Sequence, residues 1–268
     1  MTFHQKIRSA QFTNKSLLCV GLDTDPRKIP HILHNDADPV ASFNKAIIDA
    51  TKDIVCAYKP NLAYYEALGP KGLDSILATL EAIPHNIVSI ADVKRGDIGS
   101  TSDQYATAYQ LTMPFDCVTL SPYMGRDSVE PFLRDEHRGA FFLGLTSNPG
   151  AKDFQYLELA GGKKLYEHVA DTVAEWNDEF GNCGLVVGAT KPSELADLRA
   201  RAPRLPFLVP GVGAQGGSLP EVLEANAGGI ALINASRSIC YASNGPDFAE
   251  AAREAALEMV GEMRRLAD

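Results

Sequence analysis

Short apolar runs alternate with stretches of helical spacing along this chain, and that alternation sets its expected architecture. Eight runs read as strands: residues 16–23, 54–60, 87–91, 116–120, 140–145, 184–188, 206–209 and 229–233. They are short, mostly continuous in apolar character and bounded by charged, glycine or proline positions, as strands buried on both faces are. Helical spacing fills the intervals. Residues 3–14 form an amphipathic segment, and 38–52 places Val40, Phe43, Ile47 and Ile48 behind Asp38 as a cap. Further helices are expected over 72–83, 98–113, 126–135, 163–180, from Pro192 onward, over 218–226 and over 246–266. No Gly/Ser linker or low-complexity tract interrupts the order. The fold class it predicts is α/β, a single (β/α)8 TIM barrel over 1–268, with a doubly wound sheet as the alternative.

Polar residues are not scattered among these elements. Asp23, Lys59, Asp92 with Lys94, Ser121, Ser147, Thr190, a glycine-rich loop and Arg237 each follow the last apolar residue of a run. In a barrel those strand ends converge on one face, the face on which barrel enzymes carry their sites. The densest stretch is Asp92-Val93-Lys94-Arg95-Gly96-Asp97-Ile98. Strand alternation puts Asp92 and Lys94 on one side, and Gly96 allows the backbone to turn before Asp97. Plainer readings stand beside these. Asp23 can cap the turn before Pro26, Lys59 can snorkel from the mouth, and Asp97 can cap the helix that follows. Each is reasonable singly. Together they leave four charged groups around one mouth with no shared purpose.

Composition narrows the function classes. A formal net charge of -9 and a pI near 5.2 argue against a nucleic-acid groove or a polybasic membrane surface, while leaving room for a local anion pocket. No stretch has the length and apolarity of a membrane span or a secretory leader, so a cytoplasmic location is expected. The 5 cysteines are widely spaced and lie mostly within apolar runs, as reduced core residues do. The 6 histidines end no strand, which gives a His-based metal site or nucleophilic triad little support.

The loop after the seventh run reads Pro210-Gly211-Val212-Gly213-Ala214-Gln215-Gly216-Gly217. Its Gly211, Gly213 and Gly216 match a dinucleotide fingerprint formally, but the next strand ends in Asn234-Ala235-Ser236-Arg237 instead of an acid for a ribose. Loops after strands seven and eight of a barrel commonly cradle phosphate, with glycine amides near the anion and an arginine on its oxygens. A tight turn and a surface arginine are the duller alternatives.

Asp92-x-Lys94-x-x-Asp97-Ile98, the glycine-rich loop and Ser236-Arg237-Ser238-Ile239 together closely resemble the orotidine 5′-phosphate decarboxylases across essentially the whole chain. Leu17 to Asp23 and the Lys-Arg-Gly-Asp-Ile stretch are most similar to the bacterial branch of longer chains. The resemblance implies a homodimeric barrel that makes uridine 5′-phosphate from orotidine 5′-phosphate in pyrimidine synthesis, without metal or organic cofactor. It implies that Lys94 donates a proton to pyrimidine C6, that Asp92 lies near the departing carboxylate, and that Lys59 and Asp97 complete an alternating array. Asp97 and Thr101 would come from the partner subunit. Asp23 and Lys59 would meet the ribose, Ser147 the pyrimidine, and Gln215 and Arg237 the phosphate beside Gly211, Gly213 and Gly216. Ser236 stands where some relatives have glycine, so only its backbone carries over. Two other classes stay open: a related barrel acting on sugar phosphates, some of which use a metal ion, and a catalytically silent phosphate-binding scaffold.

Overall fold

The computed structural model describes residues 1–213 and 216–267. Eight parallel strands close into a barrel in sequence order: β1 (Leu18–Leu22), β2 (Ala57–Pro60), β3 (Val88–Arg95), β4 (Cys117–Leu120), β5 (Gly139–Leu145), β6 (Cys183–Val187), β7 (Phe207–Pro210) and β8 (Ala231–Ala235). Closure is made by β1 and β8, with Leu18 opposite Ile233 and Val20 opposite Ala235. That pairing excludes the doubly wound sheet. Nearly every strand residue is buried, which explains continuous apolar runs in place of alternation.

The helices are α1 (Phe3–Asn14), α2 (Pro39–Thr51), α3 (Leu62–Glu66), α4 (Pro70–Ala82), α5 (Gly99–Thr107), α6 (Leu165–Phe180), α7 (Pro192–Arg201), α8 (Leu219–Asn226), α9 (Arg237–Cys240) and α10 (Phe248–Ala267). Asp38 caps α2 by accepting from Ala41 N at 2.9 Å, as its position suggests. Ser218 caps α8 in the same way. Two expectations change. Residues 126–135 form two 3-10 turns, Arg126–Ser128 and Glu130–Phe132, because Pro131 has no N–H to continue a helix. The segment expected as one helix to residue 113 is α5 followed by a π turn, Ala108–Thr112.

Helix α1 closes the N-terminal end of the barrel. Phe3, Ile7 and Ala10 are fully or almost fully buried against inward residues of the strands, among them Cys19, Cys117, Phe141 and Leu232. Its polar residues meet strand starts: Lys6 Nζ donates to Asp116 Oδ1 at 2.5 Å, and Gln11 Nε2 to Ala231 O at 2.7 Å. A side chain at Gly139 would put Cβ 2.1 Å from the Phe3 ring, so glycine is what lets the plug seat. All five cysteines are buried and free. Among the described residues no helix is long and apolar enough to cross a membrane.

Candidate active site

At the opposite end, the C-terminal mouth, four ionisable side chains form one connected array. Lys59 on β2 donates from Nζ to Asp92 Oδ2 at 2.8 Å, and Lys94 Nζ reaches Asp92 Oδ1 at 2.5 Å. Asp23, just beyond β1, places Oδ1 3.9 Å from Lys59 Nζ. Lys59 and Asp92 are buried, whereas the Lys94 side chain is 49% exposed and opens to the mouth. Burial raises the Asp92 carboxyl, but the charges of Lys59 and Lys94 outweigh it and hold the group well below the usual carboxylate range. Burial opposes the Lys59 ammonium, and Asp92 and Asp23 overcome that and hold it above the usual lysine range. Both groups are therefore charged at neutral pH.

The backbone around Lys94 departs from strand alternation. Lys94 has φ +49, a left-handed conformation costly for a residue with a Cβ, and the β3–β4 register shifts between Ala91 and Arg95. Thr119 on β4 meets this bulge: its Oγ1 accepts from Val93 N and Lys94 N, each at 3.0 Å, and donates to Asp92 Oδ1 at 2.9 Å. Beyond the bulge, Arg95 donates to Glu66, to Tyr109 OH at 3.1 Å and to Val93 O at 3.1 Å, anchoring the strand end. Gly96 has no positive φ. The conformational freedom expected of it is supplied at Lys94, and Gly96 serves close approach, since a Cβ there would lie 3.1 Å from Ser121 O.

The remaining residues separate into those the chain brings to this mouth and those it does not. Ser147 follows β5 with its Oγ buried and without a partner among the described residues, and Thr190 Oγ1 after β6 is in the same condition. A Cβ at Gly188 would fall 2.3 Å from Ser147 Oγ and displace that hydroxyl from its position. Gly211, Gly213 and Gly216 have φ of +104, +72 and +88, so the loop after β7 needs their freedom. Gly213 N donates to Gly217 O at 2.9 Å and Gly216 N to Gly213 O at 2.8 Å, a tight turn. Gln215 lies outside the described residues. Arg237 is exposed at the start of α9, directly after β8.

Neither Asp97 nor Thr101 makes a hydrogen bond or ion pair with Lys94 of the same chain. Asp97 makes no ion pair with Lys94 or Lys59; its Oδ1 accepts from Ile98 N at 2.8 Å. It does not cap α5 either, whose N-cap is Ile98 with no side-chain bond. Thr101 is exposed on α5. Asp23 likewise does not cap the turn at Pro26, a task done by Asp25, which accepts from Arg27 N at 3.0 Å.

Thr119 was not apparent from sequence, because a β-branched residue inside Cys-Val-Thr-Leu reads as strand filler. An apolar groove of about 710 Å³ lined by Tyr123, Phe154, Tyr166 and Trp176 contains none of the array's ionisable groups. The clustered and perturbed charges make the mouth, and not the groove, the candidate site. Among the described residues no three His, Cys, Asp or Glu side chains are grouped to hold a metal ion.

The chain has relatives among known proteins. The profile of the orotidine 5′-phosphate decarboxylase / HUMPS family matches residues 16–255. The orotidine 5′-phosphate decarboxylase of Herpetosiphon aurantiacus is 52% identical over 255 residues, 95% of this chain and 95% of that one. That of Dehalococcoides mccartyi strain CBDB1 is 50% identical over 265 residues, 97% of this chain and 96% of the relative. The structure of Leishmania donovani OMP decarboxylase is similar with a TM-score of 0.86 and 39% identity, over 99% of this chain and 98% of that chain.

Proposed function

This chain belongs to the orotidine 5′-phosphate decarboxylase / HUMPS family, and from that premise we propose that it converts orotidine 5′-phosphate to uridine 5′-phosphate and carbon dioxide in pyrimidine synthesis. The observation that carries the reading is the buried Asp92 carboxylate bracketed by Lys59 at 2.8 Å and Lys94 at 2.5 Å. Relatives about half identical over almost the full length bear the decarboxylase name, which favours that half of the family over the other.

In the proposed reaction the bond from C6 to the carboxylate breaks and its electron pair stays on C6. No carbonyl or Schiff base is placed to delocalise that pair, so fixed charge must stabilise it. The Lys94 ammonium faces the developing carbanion and donates its proton to C6, giving the product and a neutral amine. Its half-exposed position lets water return the proton. Asp92 lies beside the departing carboxylate and, with Lys59, holds Lys94 in place. Asp23 and Lys59 take the ribose hydroxyls, Ser147 the pyrimidine edge, and Arg237 with Gln215 and the loop of Gly211, Gly213 and Gly216 the phosphate. Remote phosphate binding then helps organise the charged mouth. The working unit is a homodimer whose two sites each take Asp97 and Thr101 from the partner subunit, supported by the failure of Asp97 to reach Lys94 within its own chain.

The assay is ultraviolet loss of orotidine 5′-phosphate by the purified protein in excess chelator, with uridine 5′-phosphate identified as product. Undiminished turnover is expected. Absence of conversion, or conversion abolished by chelator and restored by a divalent ion, would overturn the metal-free decarboxylase.

A further inference from the structure

The hydroxyl of Thr119 has one proton to give and two lone pairs to receive with, and all three are engaged: Val93 N and Lys94 N at 3.0 Å each, Asp92 Oδ1 at 2.9 Å. Because both lone pairs are taken by backbone donors, the proton has only one direction left, toward the carboxylate. Thr119 is 1% exposed, so its hydroxyl cannot exchange these three partners for bulk water. Thus a single buried atom ties the left-handed backbone of Lys94 to the carboxylate that its ammonium contacts. Lys94 is the only non-glycine residue with positive φ on a described strand, which is where such a tie is needed.

We propose that Thr119 is the positioning residue for Lys94, holding the β3 bulge through two amides and orienting Asp92 through its proton, so that the ammonium meets C6 in line. The role rests on the decarboxylase reading for its chemistry and on the hydrogen bonds alone for its geometry. Thr119 touches no substrate in this role. The duller account is that a β-branched residue merely packs well in β4, and then valine would serve equally.

Thr119→Val keeps the shape and removes the hydroxyl, whereas Thr119→Ser keeps the hydroxyl and removes the methyl. Saturating turnover of orotidine 5′-phosphate should fall roughly 10–100-fold in the valine variant, the cost of a small misplacement of a reacting group. KM and the affinity for uridine 5′-phosphate should stay within about threefold, and the serine variant should keep turnover within about threefold of wild type. A readout independent of activity is amide hydrogen exchange at Val93 and Lys94, which should quicken by roughly tenfold in the valine variant and not in the serine variant. If the valine variant does not fold, Thr119→Cys, with a weak donor and acceptor of similar size, carries both measurements. Valine turnover near wild type, equal losses in turnover and product affinity, unchanged exchange, or a serine variant as impaired as valine would each overturn the role. A wild-type protein inactive on orotidine 5′-phosphate would instead remove the decarboxylase reading, while the exchange measurement still judges the Thr119 tie.

Discussion

At the scale of single residues, Asp92 and Lys59 are acceptable in the interior only as a pair. Asp92 is held below the usual carboxylate range, so its contribution to stability is present above the unfolded value of about 3.9 and is lost as pH falls through the folded one. Lys59 is held above the usual lysine range, so its contribution is present below about 10.4 and is lost as pH rises through the folded value. Between these limits the pair is pH-independent. Asp92→Ala breaks that balance, because Lys59 is left buried with Asp23 at 3.9 Å as its remaining carboxylate. The expected loss is about 3–5 kcal/mol near pH 6. With only the more distant Asp23 left to oppose burial, the ammonium then favours release of its proton in the folded state, so the unfolded chain binds more protons and stability rises with pH. Urea unfolding from pH 6 to 9.5 should therefore show the deficit narrowing. A deficit below about 0.5 kcal/mol, or one unchanged across that range, would contradict the coupling.

At the scale of elements, the existence of strands and helices was legible, and the irregularities that make the site were not. Residues 3–14 read as amphipathic and form α1 with those bounds, yet nothing local says that its apolar face plugs the barrel; that depends on Phe141 and Leu232, far along the chain. The run at 87–91 was expected to end where charge begins, whereas β3 continues to Arg95. Charge marks a strand end only if the charged group must reach water, and here Lys59, Lys94 and Thr119 satisfy Asp92 inside the mouth. The bulge carries no local sequence signal for a related reason. Positive φ ordinarily belongs to glycine, so the sequence points to Gly96, but the strained residue is Lys94, stabilised by a hydroxyl on the neighbouring strand. Asp23, Lys59, Asp92 and Lys94 are legible in the sequence because each interrupts apolar character at a strand end. Thr119 does not interrupt it, so only the hydrogen bonds reveal it.

At the scale of the whole molecule, eight strands could close or stay open by periodicity alone, and the β1–β8 pairing decides for closure and thereby gathers the strand ends at one mouth. The proposed dimer has its own test. Lys94→Ala and Asp97→Ala proteins mixed in equal amounts and allowed to reassort should form about half hybrids by two-fold statistics, each with one site carrying both defects and one carrying neither. Roughly a quarter of wild-type site activity should return. Hybrids that form without regaining activity would place Asp97 in the service of its own chain. The central claim, that fixed charge around one lysine performs the chemistry, is tested most directly by Lys94 itself. Saturating turnover of orotidine 5′-phosphate by Lys94→Ala, measured beside wild type in excess chelator, should be lower by roughly 10²–10⁴-fold. Affinity for uridine 5′-phosphate should change by less than about threefold, since binding and proton transfer are separate tasks of the mouth. Turnover by Lys94→Ala within about tenfold of wild type would contradict the account, because a group that donates the proton cannot be dispensable.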